Sequence, residues 1–459
     1  VFASGLSLAL APLLLKALTG LIPSGVKLDL IAQPGIALFL VLLAIVVTGL
    51  AGFYPAIVLS RYKPVEVLKN GPSKDGSSRK SRMRKTLTVV QFTVAQAFIM
   101  GALVVSTQIH YLLNTDIGYK KDAVLYFYLN ANGADSNRRH VLLDRLKNVP
   151  DVTMASLSND PPTSTNQWSG PWGFRDGKRP IETQLQMKFG DTGYLRLYGM
   201  RLLAGQNLVP GDTLKDVLIN ESYSRILGFA TPQEAVGKWL DRKGKRVPIT
   251  GVVADFHTAS LHEQIKPLVI YSRYADEYCV NVRLSANNGG VTGWRTAIDK
   301  IAVAFKAVYP EQDIDYRFLD NTIAQYYNAE QDIAVLMNWA TGLAVVISCM
   351  GLLGLVIYST NSRTKEIGVR KILGASAGNM VGLLSADFVK LVGIAFLIAM
   401  PLAWWAANQW LSGFPYRTSV SWWMFALTGA GMLVLALMTL SVRVIRAALA
   451  NPVKSLRTE

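Results

Sequence analysis

The residues best placed to do chemistry lie between two long apolar runs, in "NSRTKEIGVRKILGASAGN" (361–379). Its two glycines invite a comparison with a phosphate loop. Such a loop needs G-x-x-x-x-G-K-[ST], whose backbone N–H groups cradle phosphate while the Lys and hydroxyl hold phosphate and Mg²⁺. Here five residues separate Gly368 from Gly374, and Ala375-Ser376 follows with no Lys. The stretch is therefore not a phosphate loop, and the rest of the sequence contains none. Four histidines (His110, His140, His257, His262) and two cysteines (Cys279, Cys349) are scattered, with Cys349 inside an apolar run. They form no metal-binding pattern and argue against an intrachain disulfide. The histidines read as structural residues. No nucleophile–base set stands out.

As a short amphipathic helix the segment makes more sense. Val369, Ile372 and Leu373 share one face at helical spacing, and Arg363, Arg370, Lys371 and Gly374 lie opposite. Glu366 precedes Arg370 by four residues, the favourable order for an ion pair. Gly374 suits a helix end and Ser376 the next N-cap. Two uses fit such a helix. Its charges could fix membrane topology at the lipid headgroups, or they could grip another protein.

The elements around it decide the class. The chain has 459 residues, 51% hydrophobic and 17% charged, with a net charge of +16. A basic balance suits nucleic acid or a membrane surface, and the apolar runs choose the membrane. Runs near 1–22, 36–59, 87–113, 333–360, 379–408 and 421–447 each approach or exceed the roughly 20 residues that span a bilayer. The expected partner is a lipid bilayer and not nucleic acid. The first run begins at Val1 without Met, which reads as a fragment, the C-terminal part of a longer protein.

Charge sets the orientation. Lys and Arg crowd into 61–86, 361–379 and the tail, whereas 114–332 is nearly balanced. Basic short loops stay in the cytoplasm. This places 61–86, 361–379 and the C-terminus inside, and 23–35, 114–332 and 409–420 outside. Trp404, Trp405, Trp410, Tyr416, Trp422 and Trp423 flank the last outer loop, where amphipathic rings favour the interface.

The segment 114–332 reads as an α+β domain. Strands are expected at 123–130, 246–255 and 267–273, and helices at 136–149, 220–229 and 293–309. The Gly/Pro-rich stretch 159–173 reads as a loop. Residues 321–346 read as one unbroken helix running into a span, with no Gly or Pro before Gly342. There is also an internal echo. "SRYKPVEVLKNG" (60–71) and "ALANPVKSLRTE" (448–459) each follow an apolar run, with Pro64, Val65, Leu68 and Lys69 matching Pro452, Val453, Leu456 and Arg457. Duplication of a membrane unit explains both.

"RTKEIGVRKILGAS", the following "LLSADFVKLVGIAFLIAMPLAWWAANQWLSGFPYRTSVSWW" and the closing "AALANPVKSLRTE" resemble the permeases of FtsX/MacB-type ABC transporters, in particular those with two membrane units. "NESYSRILGFATPQEAVGKWL" and "ITGVVADFHTASLHEQIKPLVIY" resemble that family's extracytoplasmic core domain.

The resemblance implies a polytopic α-helical membrane protein, with about six transmembrane helices here and one α+β extracytoplasmic domain. The implied parts are 1–60, the end of a first membrane unit, 61–86, a cytoplasmic linker, and 87–113, a transmembrane and stalk helix. The core domain (114–332), the second unit (333–447) and a cytoplasmic tail (448–459) follow. Residues 363–376 would be the coupling helix, with Arg363, Lys365, Glu366, Gly368, Arg370, Lys371 and Gly374 meeting a separate ABC ATPase. Tyr326, Tyr327 and Glu330 would pack or pair with an opposing stalk around His110 and Tyr111. The chain would bind no cofactor itself and would have no enzymatic activity of its own, ATP and Mg²⁺ lying on the ATPase. The expected location is the bacterial inner membrane with the large domain in the periplasm. A periplasmic adaptor and an outer-membrane channel are further candidate partners. The expected work is mechanotransmission, for export of small toxic compounds, peptides or lipoproteins. The alternative is a signalling protein that senses a ligand or activates a cell-envelope enzyme.

Overall fold

The computed structural model describes residues 34–60, 74–129, 136–175, 180–285, 291–362 and 377–449, with Pro12, Lys16 and Leu373. The run at 1–22, the two echo motifs and the expected coupling helix, apart from an exposed Leu373, lie outside the described residues.

Helices α1 (Pro34–Ser60) and α2 (Lys74–Asn114) open the described chain. α2 begins at Lys74 rather than near 87. Once a turn exists, extending a helix is cheap, so the good helix formers Arg, Lys and Met before the span continue it. An inserted domain follows: β1 (Val124–Tyr128), α3 (Ser136–Lys147), β2 (Val152–Ser158), β3 (Trp168–Phe174) and β4 (Ile181–Phe189). Next come α4 (Tyr194–Tyr198), β5 (Leu202–Gly205), β6 (Val217–Asn220), α5 (Glu221–Ile226) and α6 (Pro232–Ala235). The domain closes with β7 (Trp239–Arg242), β8 (Lys245–Val253), β9 (Leu268–Tyr271), β10 (Cys279–Leu284), α7 (Val291–Lys306), β11 (Tyr316–Phe318) and α8 (Leu319–Gln325). α9 (Asn328–Ser362), α10 (Ala377–Leu411) and α11 (Trp422–Leu449) complete the chain.

Among the described residues, four helices are long and apolar enough to cross a membrane: Arg82–Asn114, Asn328–Thr360, Ser385–Leu411 and Trp422–Ser441. α1 holds a shorter apolar stretch, Leu38–Gly49. The chain forms two compact units: 1–97 with 339–399 and 428–459, and 98–338 with 400–427.

In the first unit, small residues let backbones approach and polar side chains bond across helices, as membrane bundles require. Ala95, Ala395, Ala399 and Ala436 are buried. Ser348 Oγ donates to Gln91 O at 3.1 Å, and Gln96 Nε2 donates to Val392 O at 3.3 Å. The Arg84 guanidinium lies 4.0 Å from the Tyr358 ring centre.

In the second unit, a four-stranded antiparallel sheet runs β11-β1-β10-β2. Alternation in β1 sends Leu125 and Phe127 to one face, with α3 and α7, and Val124 and Tyr126 to the other. α7 packs through Ala297, Ile301 and Phe305, the helical spacing expected from sequence. A second sheet runs β5-β8-β6-β9-β4-β3-β7, and β7 pairs again with β8, so the sheet closes on itself. Closure works because β8 is long: residues 245–248 serve β7, and Ile249 to Val253 serve β6. Trp172, Phe174, Leu185, Met187, Leu240, Val247, Val269 and Tyr271 fill the shared core.

Two expectations fail. The stretch 159–173 is not all loop, because Trp168–Phe174 forms β3. Pro171 is tolerated there because β3 meets β7 only at Gly173 and Phe174. The helix expected over 321–346 is interrupted at Tyr326–Tyr327, where Tyr326 N–H bonds Ile323 O and Tyr327 N–H bonds Ala324 O in tight i→i+3 turns. Nothing in the local sequence breaks it. Tyr327 is drawn into the core, 1% exposed, and the backbone turns to follow.

Candidate functional site at the stalk joint

Three separate parts of the chain meet on one loop of the inserted domain, residues 254–266, and the local sequence shows why the loop is firm. Asp255 anchors it. Its Oδ1 accepts from Asn220 Nδ2 at 2.9 Å and Ser222 N at 2.8 Å, and its Oδ2 accepts from Ser222 Oγ at 2.7 Å. Asn220 is also the N-cap of α5, accepting from Tyr223 N. The stretches "NESYSRILGF" and "ADFHTASLHEQ" are thus locked to each other.

The first part to arrive is the end of α2. His257 N–H donates to Ile117 O at 2.9 Å. Gly118 has φ +87°, and a Cβ there would lie 2.6 Å from Asp255 O. Only glycine allows both this backbone and this approach.

The second is the start of α9. Tyr327 Oη accepts the Leu261 N–H at 2.9 Å. His262 Nε2 lies 3.0 Å from Glu330 Oε1, and His262 Nδ1 lies 3.0 Å from Ser260 Oγ. Glu330 Oε2 is buried without a partner.

The third is the segment after α10. The His262 ring sits 4.9 Å from Phe414 and 5.7 Å from Tyr327, tilted about 36° and 31°. Tyr416 meets His257 edge-on at 4.8 Å. Gln108 of α2, fully buried, ties this segment down. Its Nε2 donates to Tyr416 O at 2.9 Å, and its Oε1 accepts from Thr418 N at 2.8 Å and Thr418 Oγ1 at 3.1 Å. Burial pushes the His257 imidazole below its usual range, so it rests neutral against Tyr416.

Behind the loop the core is polar and mostly hydrogen-bonded, the buried Tyr326 hydroxyl being an exception. Tyr119 Oη donates to Thr163 Oγ1, whose own hydroxyl donates to His257 O at 3.0 Å. Tyr128 Oη donates to Asp160 Oδ1 at 2.7 Å, and Tyr198 Oη donates to Asn281 Oδ1 at 2.8 Å. Lys188 is buried, donates to Pro161 O at 3.1 Å, and has its ammonium pushed down to about 8 by desolvation. Such a network fixes one geometry instead of adding net stability.

Of the residues predicted from sequence, Tyr111 and Tyr326 pack partly buried on this core, and Tyr327 belongs to it. Glu330 meets His262. His110 is exposed and bonds within its own helix, its Nδ1 3.2 Å from Asn114 Nδ2. Arg363, Lys365, Glu366, Gly368, Arg370, Lys371 and Gly374 lie outside the described residues. Sequence reasoning missed Gln108, His257, His262, Phe414 and Tyr416 as one cluster. Trp404, Trp405, Trp422 and Trp423 are exposed, as interface residues would be, but Trp410 and Tyr416 pack on the domain core. Among the described residues no group of His, Cys, Asp and Glu could hold a metal ion, and both cysteines are free.

The described residues combine helices long and apolar enough to cross a membrane with an α+β domain inserted between α2 and α9. Residues 338–452 match the FtsX-like permease C-terminal family. A curated relative, the macrolide export ATP-binding/permease protein MacB of Sodalis glossinidius, is 25% identical over 281 residues. That match covers 58% of this chain and 42% of the relative, so the chain spans less than half of its length. Among solved structures, the periplasmic region of MacB from Actinobacillus actinomycetemcomitans aligns with TM-score 0.32 and 15% identity, over 47% of this chain and 97% of that one. A domain of a putative permease protein from Porphyromonas gingivalis aligns with TM-score 0.29 and 16% identity, over 43% and 89%. The match over residues 338–452 and the similarity to MacB agree with the FtsX/MacB-type resemblance read from the sequence.

Proposed function

We propose that this chain is the permease subunit of an ABC transporter, which couples ATP hydrolysis on a separate ATPase to movement of its inserted domain. The observation that carries this is the family match across 338–452, which includes the basic segment between α9 and α10. In this reading 363–376 is the coupling helix. Arg363, Lys365, Glu366, Arg370 and Lys371 make polar contacts with the ATPase, while Gly368 and Gly374 permit close approach and the turn. The ATPase supplies ATP and Mg²⁺ chemistry. The membrane is the bacterial inner membrane, and the inserted domain lies on the periplasmic side.

The joint supports a mechanical role for that domain. α2, α9 and the segment after α10 all end on loop 254–266, through a helix break at Tyr326–Tyr327. A displacement of these helix ends reaches the domain through hydrogen bonds and stacked rings instead of a flexible linker. The load would be a small toxic compound, a peptide or a lipoprotein, passed to an adaptor and an outer-membrane channel.

Charge reversal at Arg370 and Lys371 to Glu tests the reading. ATP turnover by the co-purified complex should stop responding to transported compound while membrane insertion is unchanged. Normal transport by the variant would refute the docking role. ATPase-dependent activation of an envelope enzyme without transport would favour the regulatory alternative.

A further inference from the structure

The closed sheet carries a groove unrelated to the joint. It follows the β3–β7 seam, has a volume of about 640 Å³, and is lined by Pro171, Gly173, Arg175, Glu182, Trp239 and Arg246, among others. We propose that this groove binds a small organic anion with a flat apolar part. The proposal does not depend on the permease reading.

The register builds the site. Gly173 pairs with Glu182 on one side and Asp241 on the other, and Asp241 pairs with Arg246. Directly paired residues share a face, so these four form one row across the outer surface, opposite the packed core. Gly173 leaves the floor bare, and neither backbone nor packing demands it. Its φ is not positive, and a Cβ would meet only Asp241, at 3.6 Å. Trp239 is 53% exposed although its neighbour Leu240 is fully buried. An exposed indole beside a bare floor, flanked by Pro171 and Pro180, offers a flat ring a surface to stack on.

The charge selects an anion. Arg175, Lys243 and Arg246 line the groove and make no hydrogen bond or ion pair among the described residues. Of the two acids, Asp241 is committed, its Oδ1 accepting the Gly244 N–H at 3.0 Å. That bond leaves Asp241 charged, but Glu182 and Asp241 together still do not balance Arg175, Lys238, Lys243 and Arg246 around the groove. Two guanidiniums suit a carboxylate or sulfonate, which each can hold by two parallel bonds. The size falls in the range of small-molecule sites, roughly 300–1,000 Å³. At the groove itself Gly173 and Phe174 of β3 pair with β7, so strand addition has no free edge there.

The probe is 2-naphthoate, titrated calorimetrically into the full chain in lipid nanodiscs, with empty nanodiscs as blank. Saturable binding is expected, weakened about tenfold or more in R175Q/R246Q and in W239A, and also in G173V, which fills the floor. The charge-reversed probe 2-naphthylmethylammonium should not bind, and added salt should weaken naphthoate. Gly173, Trp239 and Arg246 lie on the outer face of the sheet and Arg175 is exposed just after β3, so unchanged thermal unfolding of each variant confirms that the fold is intact. Heats equal to the blank, equal affinity in the variants, or equal binding of the cationic probe would each overturn the proposal. So would displacement of naphthoate by an acidic peptide at far lower concentration, which would assign the groove to a protein partner.

Discussion

The two faces of the β11-β1-β10-β2 sheet follow opposite rules. One packs α3 and α7 through Leu125, Phe127, Leu142, Val280, Ile301 and Phe305, all hydrocarbon. The other faces tyrosines, hydroxyls and amides: Tyr126, Tyr194, Tyr198 and Asn281 are buried there beside the joint. Hydrocarbon burial is non-directional and supplies stability. A hydrogen-bonded core supplies little net energy but tolerates only one arrangement. The difference teaches where load and stability are separated. The dry face holds the domain together, and the polar face holds it in register with the helix ends.

The largest break should come from the dry face. Phe305 is 1% exposed and meets Phe127 edge-on at 5.6 Å. Phe305→Ala should cost about 3–5 kcal/mol, the usual price of emptying such a site. Amide protection in β1 and β10 should fall together in hydrogen exchange. A loss confined to α7 would show that the dry face is not what holds the sheet.

A second break uses pH at the rim of that face. Glu277 is 1% exposed, accepts from Ser272 Oγ at 2.8 Å, and leaves Oε2 unpaired. Desolvation pushes its carboxyl up to about 7 against that hydrogen bond, with Asp191 raising it further and Arg139 opposing. The folded state therefore keeps a proton that the unfolded state loses near the ordinary glutamate value. Stability should fall as pH rises from about 4.5 to about 7, by about 1–3 kcal/mol, and stay flat in this respect above. Glu277→Gln should remove that part of the slope. Because burial also raises the Asp191 and Asp216 carboxyls, the wild type minus variant difference is the quantity to read. An unchanged slope would place the buried proton elsewhere.

The joint should respond more locally. Gln108→Leu preserves bulk but strands Tyr416 O and Thr418 N, which Gln108 satisfies. About 1–3 kcal/mol should be lost, seen as faster exchange at 414–418 with β1 and β10 still protected. Equal loss in both regions would erase the distinction between the faces.

Much of the domain was legible in sequence, and the joint was not. β1, β8 and β9 showed in runs of β-branched and aromatic residues, and α7 in its apolar spacing, because both signals are local. β3 was hidden by Gly170, Pro171 and Gly173, ordinary loop residues made acceptable by a short ladder with β7. The break at Tyr326–Tyr327 has no local cause, since it answers to Leu261. Gln108 and Thr418 are 310 residues apart, so no periodicity could join them. The aromatics near 404–423 looked alike in sequence, yet packing divides them between exposed rings and the domain core.

The smallest effect is the most diagnostic of the joint. The His262–Glu330 contact combines two opposed contributions. Glu330→Gln keeps an acceptor facing His262 Nε2 but a weaker one, and it replaces a buried acidic group, whose Oε2 has no partner, by a neutral amide that is cheaper to bury. The two should nearly cancel, leaving a single-variant change within about 1 kcal/mol. His262→Phe keeps a ring between Tyr327 and Phe414 while deleting both nitrogens. It should also be mild alone. The double variant should depart from additivity by about 0.5–2 kcal/mol if the two side chains act as one unit. Melting of the four proteins in detergent supplies the cycle. Strict additivity would mean that the rings alone clamp α9 to the loop, and that the polar contact is a bystander to the stacking.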